Sequence, residues 1–221
     1  MRADVFLVEG GHASTRSQAQ RLIAAGVQWR LAATLPWNKV AKNGDDIPVG
    51  AELQLLDAAE AKYLSRGGLK LEGALQATSL DVHGLRCLDV GQSTGGFTDV
   101  LLHHGAARVY AVDVGHGQLA WKLRNDPRVV VLEKINARYL EPEQVPEPTG
   151  ALVCDASFIG LQTVLPRALS FCAPGAWAAA LVKPQFEAGP GQVGKGGVVR
   201  DPAVHQAVCA RIESWWAGLS G

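Results

Sequence analysis

Residues 88–105 read LDVGQSTGGFTDVLLHHG, an apolar strand, a glycine turn and a short helix. The strand belongs to LRCLDV, and four further β-rich runs follow it: RVYAVDV, RVVVLE, GALVCDAS and WAAALVK. Helical stretches such as GFTDVLLHHG and LQTVLPRALSF lie between them. Strands alternating with helices at this spacing predict a parallel sheet covered on both faces, a doubly wound α/β domain. Ligands of such sheets bind beyond the carboxyl ends of the strands, so the residues just after each run carry the functional signal.

The 221 residues suffice for one substantial core and a small second domain. With 48% apolar and 19% charged residues the composition is that of an ordinary globular protein, which argues against extended disorder. Cys87, Cys154, Cys172 and Cys209 form no CxxC pair, and three of them lie in apolar runs; this predicts reduced thiols and a cytoplasmic setting. No apolar run reaches the roughly eighteen residues of a membrane helix, and MRADVFLVEGG places acids where a signal peptide is hydrophobic. His12, His83, His103, His104, His116 and His205 show no metal-ligand spacing, so no metal is expected.

Net charge is zero, yet residues 10–44 contain no acid while Arg16, Arg21, Arg30, Lys39 and Lys42 all fall there. Such a window can neutralise phosphates. Within it STRSQAQRLIAAG predicts a helix capped by Ser14, stopped by Gly26 and buried along Ala19, Leu22 and Ile23, with Arg16 and Arg21 free to face outward. Short strand-like pieces follow, and the boundary of this small α+β domain is expected near residue 60, giving domains of 1–59 and 60–221.

The turn at residues 91–96, GQSTGG, is neither the dinucleotide pattern G-x-G-x-x-G nor a phosphate loop. Its glycines let a backbone approach a ligand at a helix N-terminus, where negative charge is favoured. Asp89, two residues earlier, favours positive charge instead. A ligand carrying both, S-adenosylmethionine with its carboxylate, ammonium and sulfonium, fits best. Asp113 ends the next strand, where a carboxylate can accept from two ribose hydroxyls. The expected cofactor residues are therefore Asp89, Gly91, Ser93, Thr94, Gly95, Gly96 and Asp113.

Asp155 and Lys183 follow predicted strands at the ligand edge, in LVCDASF and ALVKPQF. Lys70, in SRGGLKLEGAL, borders a helical stripe of Leu71, Ala74, Leu75 and Thr78 from which it can reach a cleft. Two lysines around one carboxylate suit methyl transfer to a hydroxyl, with Lys183 removing the proton, Lys70 tuning it and Asp155 orienting it. The long glycine-rich stretch KPQFEAGPGQVGKGGVVRDPAVH reads as a substrate lid whose Lys195 and Arg200 grip a phosphate backbone.

YLSRGGLKL, LDVGQSTGGFTDVLL, AVDVGHGQL, CDASFIGL and LVKPQFEAGPGQVGKGGVVRDPAVH together resemble the TlyA family, haemolysin-like ribosomal RNA 2′-O-methyltransferases related to FtsJ. RADVFLVEGGHASTRSQAQRLIAAG is similar to that family's S-four-type RNA-binding domain. The resemblance implies a Rossmann-like methyltransferase domain, S-adenosylmethionine as cofactor, and a ribose 2′-hydroxyl of ribosomal RNA, free or in a ribosomal subunit, as acceptor. It further implies that Lys70, Asp155 and Lys183 are three members of a Lys-Asp-Lys-Glu tetrad. The glutamate comes from a final strand in the family, whereas this sequence stops at RIESWWAGLSG, before the last two strands of a seven-stranded sheet; Glu187 does not replace it. Two other readings stand beside this one. A non-catalytic RNA-binding or ribosome-assembly protein would keep the fold without turnover, and a pore-former, suggested by the haemolysin name, is opposed by the lack of a spanning segment.

Overall fold

The structure, a computed structural model, describes residues 1–13, 15–56, 63–189 and 191–219. It divides into two compact units, Met1–Gly73 and Ala74–Gly221.

The first unit opens with two helices, α1 (Ala3–Glu9) and α2 (Arg16–Gly26), followed by strands β1 (Val27–Arg30), β2 (Asn38–Lys39) and β3 (Glu52–Leu55) in an antiparallel sheet of order β2-β1-β3. Leu7, Leu22, Val27 and Ile47 form its buried centre. Ser14, the expected cap, lies outside the described residues; the N-cap of α2 is Thr15, whose side chain accepts from Gln18 N. Arg16 and Arg21 do not stand free as expected. Asp4 is fully buried on α1, and a buried carboxylate is costly without a cation, so Arg2 and Arg16 close on it at 3.1 and 2.7 Å. Hydrogen bonds from Arg2 and then Arg16 hold the Asp4 carboxyl far below the usual carboxylate range. Arg21 donates to the carbonyls of Ser17 and Leu64.

Helix α3 (Arg66–Thr78) contains the division between the units. The boundary expected near residue 60 falls among residues 57–62, which lie outside the described residues. Tyr63 and Glu72 belong with the first unit: the Tyr63 hydroxyl donates to Glu72 at 2.7 Å, and Gln18 Nε2 donates to the Tyr63 carbonyl. The buried stripe of α3 is Leu71, Glu72 and Leu75, not the expected run ending in Thr78, which is exposed. Glu72 can turn inward because Tyr63 supplies the hydrogen bond that its burial requires.

The second unit carries all five expected strands: β4 (Arg86–Val90), β5 (Arg108–Asp113), β6 (Val129–Glu133), β7 (Thr149–Cys154) and β8 (Cys172–Ala180). All pairs are parallel, in the order β6-β5-β4-β7-β8. Helix α4 (Gly96–His103) follows β4, α5 (Trp121–Arg124) precedes β6, α6 (Leu161–Leu169) joins β7 to β8, and α7 (Pro184–Glu187) and α8 (Pro202–Ala217) follow β8. Alternation along β4 sends Leu88 and Val90 to the face packed by Leu161, Leu165 and Ile212. Asp89 points the other way, to Thr98 of α4. The sheet is thus doubly wound, and its order reverses at β4, which places the ligand crevice beside the ends of β4, β5 and β7. Strand β8 differs from its expected limits: it begins at Cys172, well before WAAALVK, and ends before Leu181, so Lys183 stands three residues beyond the strand instead of directly after it.

Candidate active site

At the carboxyl ends of these strands lies a cavity of about 510 Å³, of a size that holds small molecules. Val90 at the end of β4, Gly91 and Ser93 after it, Asp113 at the end of β5, Asn136 after β6 and Asp155 after β7 all line it. Asp113 is held on both oxygens, Oδ2 accepting from Ser93 N at 2.9 Å and Oδ1 from Gly115 N at 2.7 Å. Ser93 adopts φ 48°, a left-handed conformation that is strained for a residue with a side chain, and such strain clusters at binding sites. A carboxylate fixed in this way keeps lone pairs for a vicinal diol such as ribose.

The glycines of the turn serve a purpose that sequence reading did not anticipate. A Cβ on Gly91, at φ 84°, would stand 2.8 Å from the Ala156 backbone, and one on Gly95, at φ 96°, would run into Leu119 and Leu123. Their missing side chains make room for the protein itself, so the expected close approach of ligand to these backbones applies at most to Gly91, which also lines the cavity. Thr94, Gly95 and Gly96 do not line it. They start α4, and the Thr94 carbonyl accepts from Ala120 N.

Asp89 is fully buried and is absent from the cavity wall. Its Oδ2 accepts from the Thr98 hydroxyl at 2.6 Å, and its Oδ1 has no hydrogen-bond partner among the described residues. Burial pushes its carboxyl up to about 7; the charges of Asp155 and Asp113 add to the rise, and Thr98 opposes it. The carboxylates of Asp113 and Asp155 at the cavity wall, with Asp89 behind it, favour a ligand with positive charge.

Asp155 and Lys183 are brought together. Lys183 Nζ lies 2.5 Å from Asp155 Oδ1 and donates to the Asp155 carbonyl at 3.1 Å and to Ser157 Oγ at 3.0 Å, with both side chains of the ion pair mostly buried. Lys70 belongs to the first unit, on the exposed side of α3. Burial pushes the Cys87 and Cys154 thiols up to about 12, which keeps them protonated and unsuited to nucleophilic work. Lys195 and Arg200 are exposed on the stretch between α7 and α8. Among the described residues no helix is long and apolar enough to cross a membrane, and no group of three or more His, Cys, Asp or Glu side chains gathers as metal ligands do.

Two site residues escaped sequence reasoning. Ser157, which anchors Lys183, is an ordinary serine in CDASFIGL. Phe158 is 90% exposed at the cavity rim, at φ 65°, with its ring 5.1 Å from that of Phe186. An aromatic residue held outward in a left-handed conformation gives no sign in the sequence.

Residues 63–219 match the family described as FtsJ-like methyltransferase. The chain is 52% identical over 201 residues to the 16S/23S rRNA (cytidine-2′-O)-methyltransferase TlyA of Mycobacterium tuberculosis, covering 91% of this chain and 73% of that protein. It is 40% identical over 211 residues to Hemolysin A of Brachyspira hyodysenteriae, covering 94% of this chain and 84% of that one. A solved structure from Streptococcus thermophilus with a provisional hemolysin designation superposes with a TM-score of 0.72 at 42% identity, over 97% of this chain and 77% of that chain.

Proposed function

Since the chain belongs to the FtsJ-like methyltransferase family, we propose that it transfers the methyl group of S-adenosylmethionine to a ribose 2′-hydroxyl of ribosomal RNA. The observation that carries this reading is the Lys183–Asp155 pair, 2.5 Å apart, whose Asp155 lines a cavity that also holds Asp113. The residues fit the cofactor's parts. Asp113 suits the ribose hydroxyls, and the carboxylates of Asp89 and Asp155 suit the ammonium and sulfonium, with Asp89 acting through its field from behind the wall. When bound, the cofactor supplies an electrophilic methyl group on sulfur.

Lys183, as the neutral amine left once its ammonium has given a proton to water, would take the proton of the attacking 2′-hydroxyl while that oxygen receives the methyl group a bound cofactor would supply. Asp155 and Ser157 fix the direction of its Nζ, so that little freedom is left to lose in the transition state. Lys70 stays a proposed catalytic residue on the strength of the family pattern in SRGGLKLEGAL. Phe158 offers a ring face on which an unstacked base can lie, the usual way in which a nucleotide is held outside its helix. Arg16, Arg21, Lys195 and Arg200 contact phosphates. Residues 1–59 are read as the RNA-binding domain and 60–221 as the methyltransferase domain.

The test is transfer of labelled methyl from S-adenosylmethionine to isolated ribosomal subunits, followed by mapping of the modified nucleotide. Label on a ribose of either subunit's RNA is expected. Cofactor binding and RNA binding without transfer would leave the non-catalytic assembly role in its place.

A further inference from the structure

We infer that Glu187 is a positioning residue for the Lys183–Asp155 pair, clamping the turn that carries the lysine onto the loop that carries its acceptors. The effect on turnover rests on the methyl-transfer reading above; the clamp rests on geometry alone. Glu187 ends α7, four residues after Lys183, and its side chain is 5% exposed. Its carboxylate turns to the backbone of another element: Oε1 accepts from Leu161 N, the first residue of α6, at 2.7 Å. Arg211 of α8 braces it from outside, with Nη2 3.4 Å from Oε2 and also donating to the Glu187 carbonyl.

Leu161 N, at the first helical position, is one of the donors that a helix start leaves without an internal partner, and an N-cap side chain normally serves the donors one or two residues further on. Here the N-cap position is Gly160, which has no side chain to offer. A Cβ at Gly160 would stand 3.1 Å from Glu187 Oε2, so the bare glycine leaves the space in which a carboxylate from 26 residues away does the capping.

The consequence is a loop tied at both ends to one short turn. The stretch between β7 and α6, residues 155–160, contains Asp155 and Ser157, the two residues that hold Lys183 Nζ. At its beginning it is joined to Lys183, in its middle the Phe158 ring packs on Phe186, and at its end Leu161 is joined to Glu187. Lys183, Phe186 and Glu187 lie within five consecutive residues, so the two segments move as one body only while the far tie holds. A misplacement of about an ångström between reacting groups can cost about a hundredfold in rate.

Three variants separate positioning from simple helix capping. Glu187→Ala removes the tie, Glu187→Gln keeps an acceptor for Leu161 N, and Glu187→Ala with Gly160→Ser supplies a local cap to α6 without joining it to α7. For Glu187→Ala we expect kcat to fall about ten- to hundredfold, with the KM for ribosomal subunits and the cofactor Kd within about twofold of the original. Glu187→Gln retains most of the rate, and the double variant regains thermal stability but not kcat. A second readout needs no activity: the rate at which an acylating reagent labels the Lys183 amine, followed by mass spectrometry. It is expected to rise in Glu187→Ala and in the double variant but not in Glu187→Gln. If the original chain transfers no methyl, this labelling pattern still upholds the clamp and only the methyl-transfer reading fails. Unchanged labelling in Glu187→Ala, a glutamine variant as slow as the alanine one, or recovery of kcat by Gly160→Ser would overturn the clamp.

Discussion

The Thr98 hydroxyl donates to Asp89 Oδ2 at 2.6 Å, while Asp89 Oδ1, equally buried, meets no hydrogen-bond donor among the described residues. The half-satisfied carboxyl has a measurable consequence. Its value in the fold, about 7, lies above the unfolded value near 3.8. A raised carboxyl favours the fold while it is protonated; that stability is fully present below about pH 4, is lost as pH rises towards 7, and is absent above it. The span corresponds to no more than about 4 kcal/mol. Urea unfolding of Asp89→Asn and of the unchanged chain at pH 5 and pH 8 is expected to show a larger loss between the two pH values in the unchanged chain. Equal losses would mean that Asp89 ionises normally in the fold. The depressed carboxyl of Asp4 acts at lower pH and in the opposite sense, so the windows do not overlap.

Asp113 is the residue on which cofactor affinity should depend most visibly. Hydrogen bonds to a charged acceptor are worth about 1.5–3 kcal/mol, so Asp113→Asn should weaken S-adenosylmethionine binding about ten- to hundredfold in titration calorimetry. The asparagine keeps an acceptor for one of Ser93 N and Gly115 N, which limits collapse of the turn. Affinity unchanged in a folded variant would remove Asp113 from the cofactor site.

The sheet was legible because its signal is periodic: five apolar runs separated by helical ones predict parallel strands, and each was found. Residues at strand ends were legible for the same reason, which is how Asp113, Asp155 and Lys183 came to attention. What escaped depends on tertiary neighbours. The roles of Gly91 and Gly95 are set by Ala156, Leu119 and Leu123, distant in sequence. The outward turn of Phe158 is a backbone conformation, and the engagement of Arg16 follows from the burial of Asp4, an acid that composition assigns to the surface. The depth at which Asp89 sits was likewise unreadable, since the same carboxylate before a turn would look identical at the cavity wall.

Substitution of Lys183 distinguishes proton transfer from charge. General-base groups contribute about a hundred- to ten-thousandfold, and Lys183→Ala should lose that much in single-turnover methyl transfer with cofactor Kd within about twofold. Lys183→Arg keeps a cation beside Asp155 but no amine able to accept a proton at neutral pH. We expect it to be as slow as the alanine variant. A fast arginine variant would show that Lys183 acts through its charge, and the hydroxyl proton would then leave by another route.

RNA affinity should fall steeply with salt, because Lys and Arg side chains that neutralise phosphates release counterions. The structure sharpens which residues test this. Lys195 and Arg200 are exposed beyond β8, so replacing both with glutamine should lower affinity and reduce the slope of log K against log salt by about 1 for each phosphate no longer neutralised, with thermal stability unchanged. Arg16 is different: 59% of its side chain is exposed, yet one edge holds buried Asp4. Arg16→Gln should therefore weaken RNA binding and lower the melting temperature together, since Asp4 is left with Arg2 alone. Filter binding of the three proteins to a ribosomal RNA fragment over a range of salt, beside thermal melts, separates the two effects. A flat salt dependence in the unchanged chain would rule out phosphate neutralisation as the source of affinity. A slope reduced by Arg16→Gln but not by the Lys195 and Arg200 pair would place the RNA on the first unit and leave the glycine-rich stretch without a part in binding.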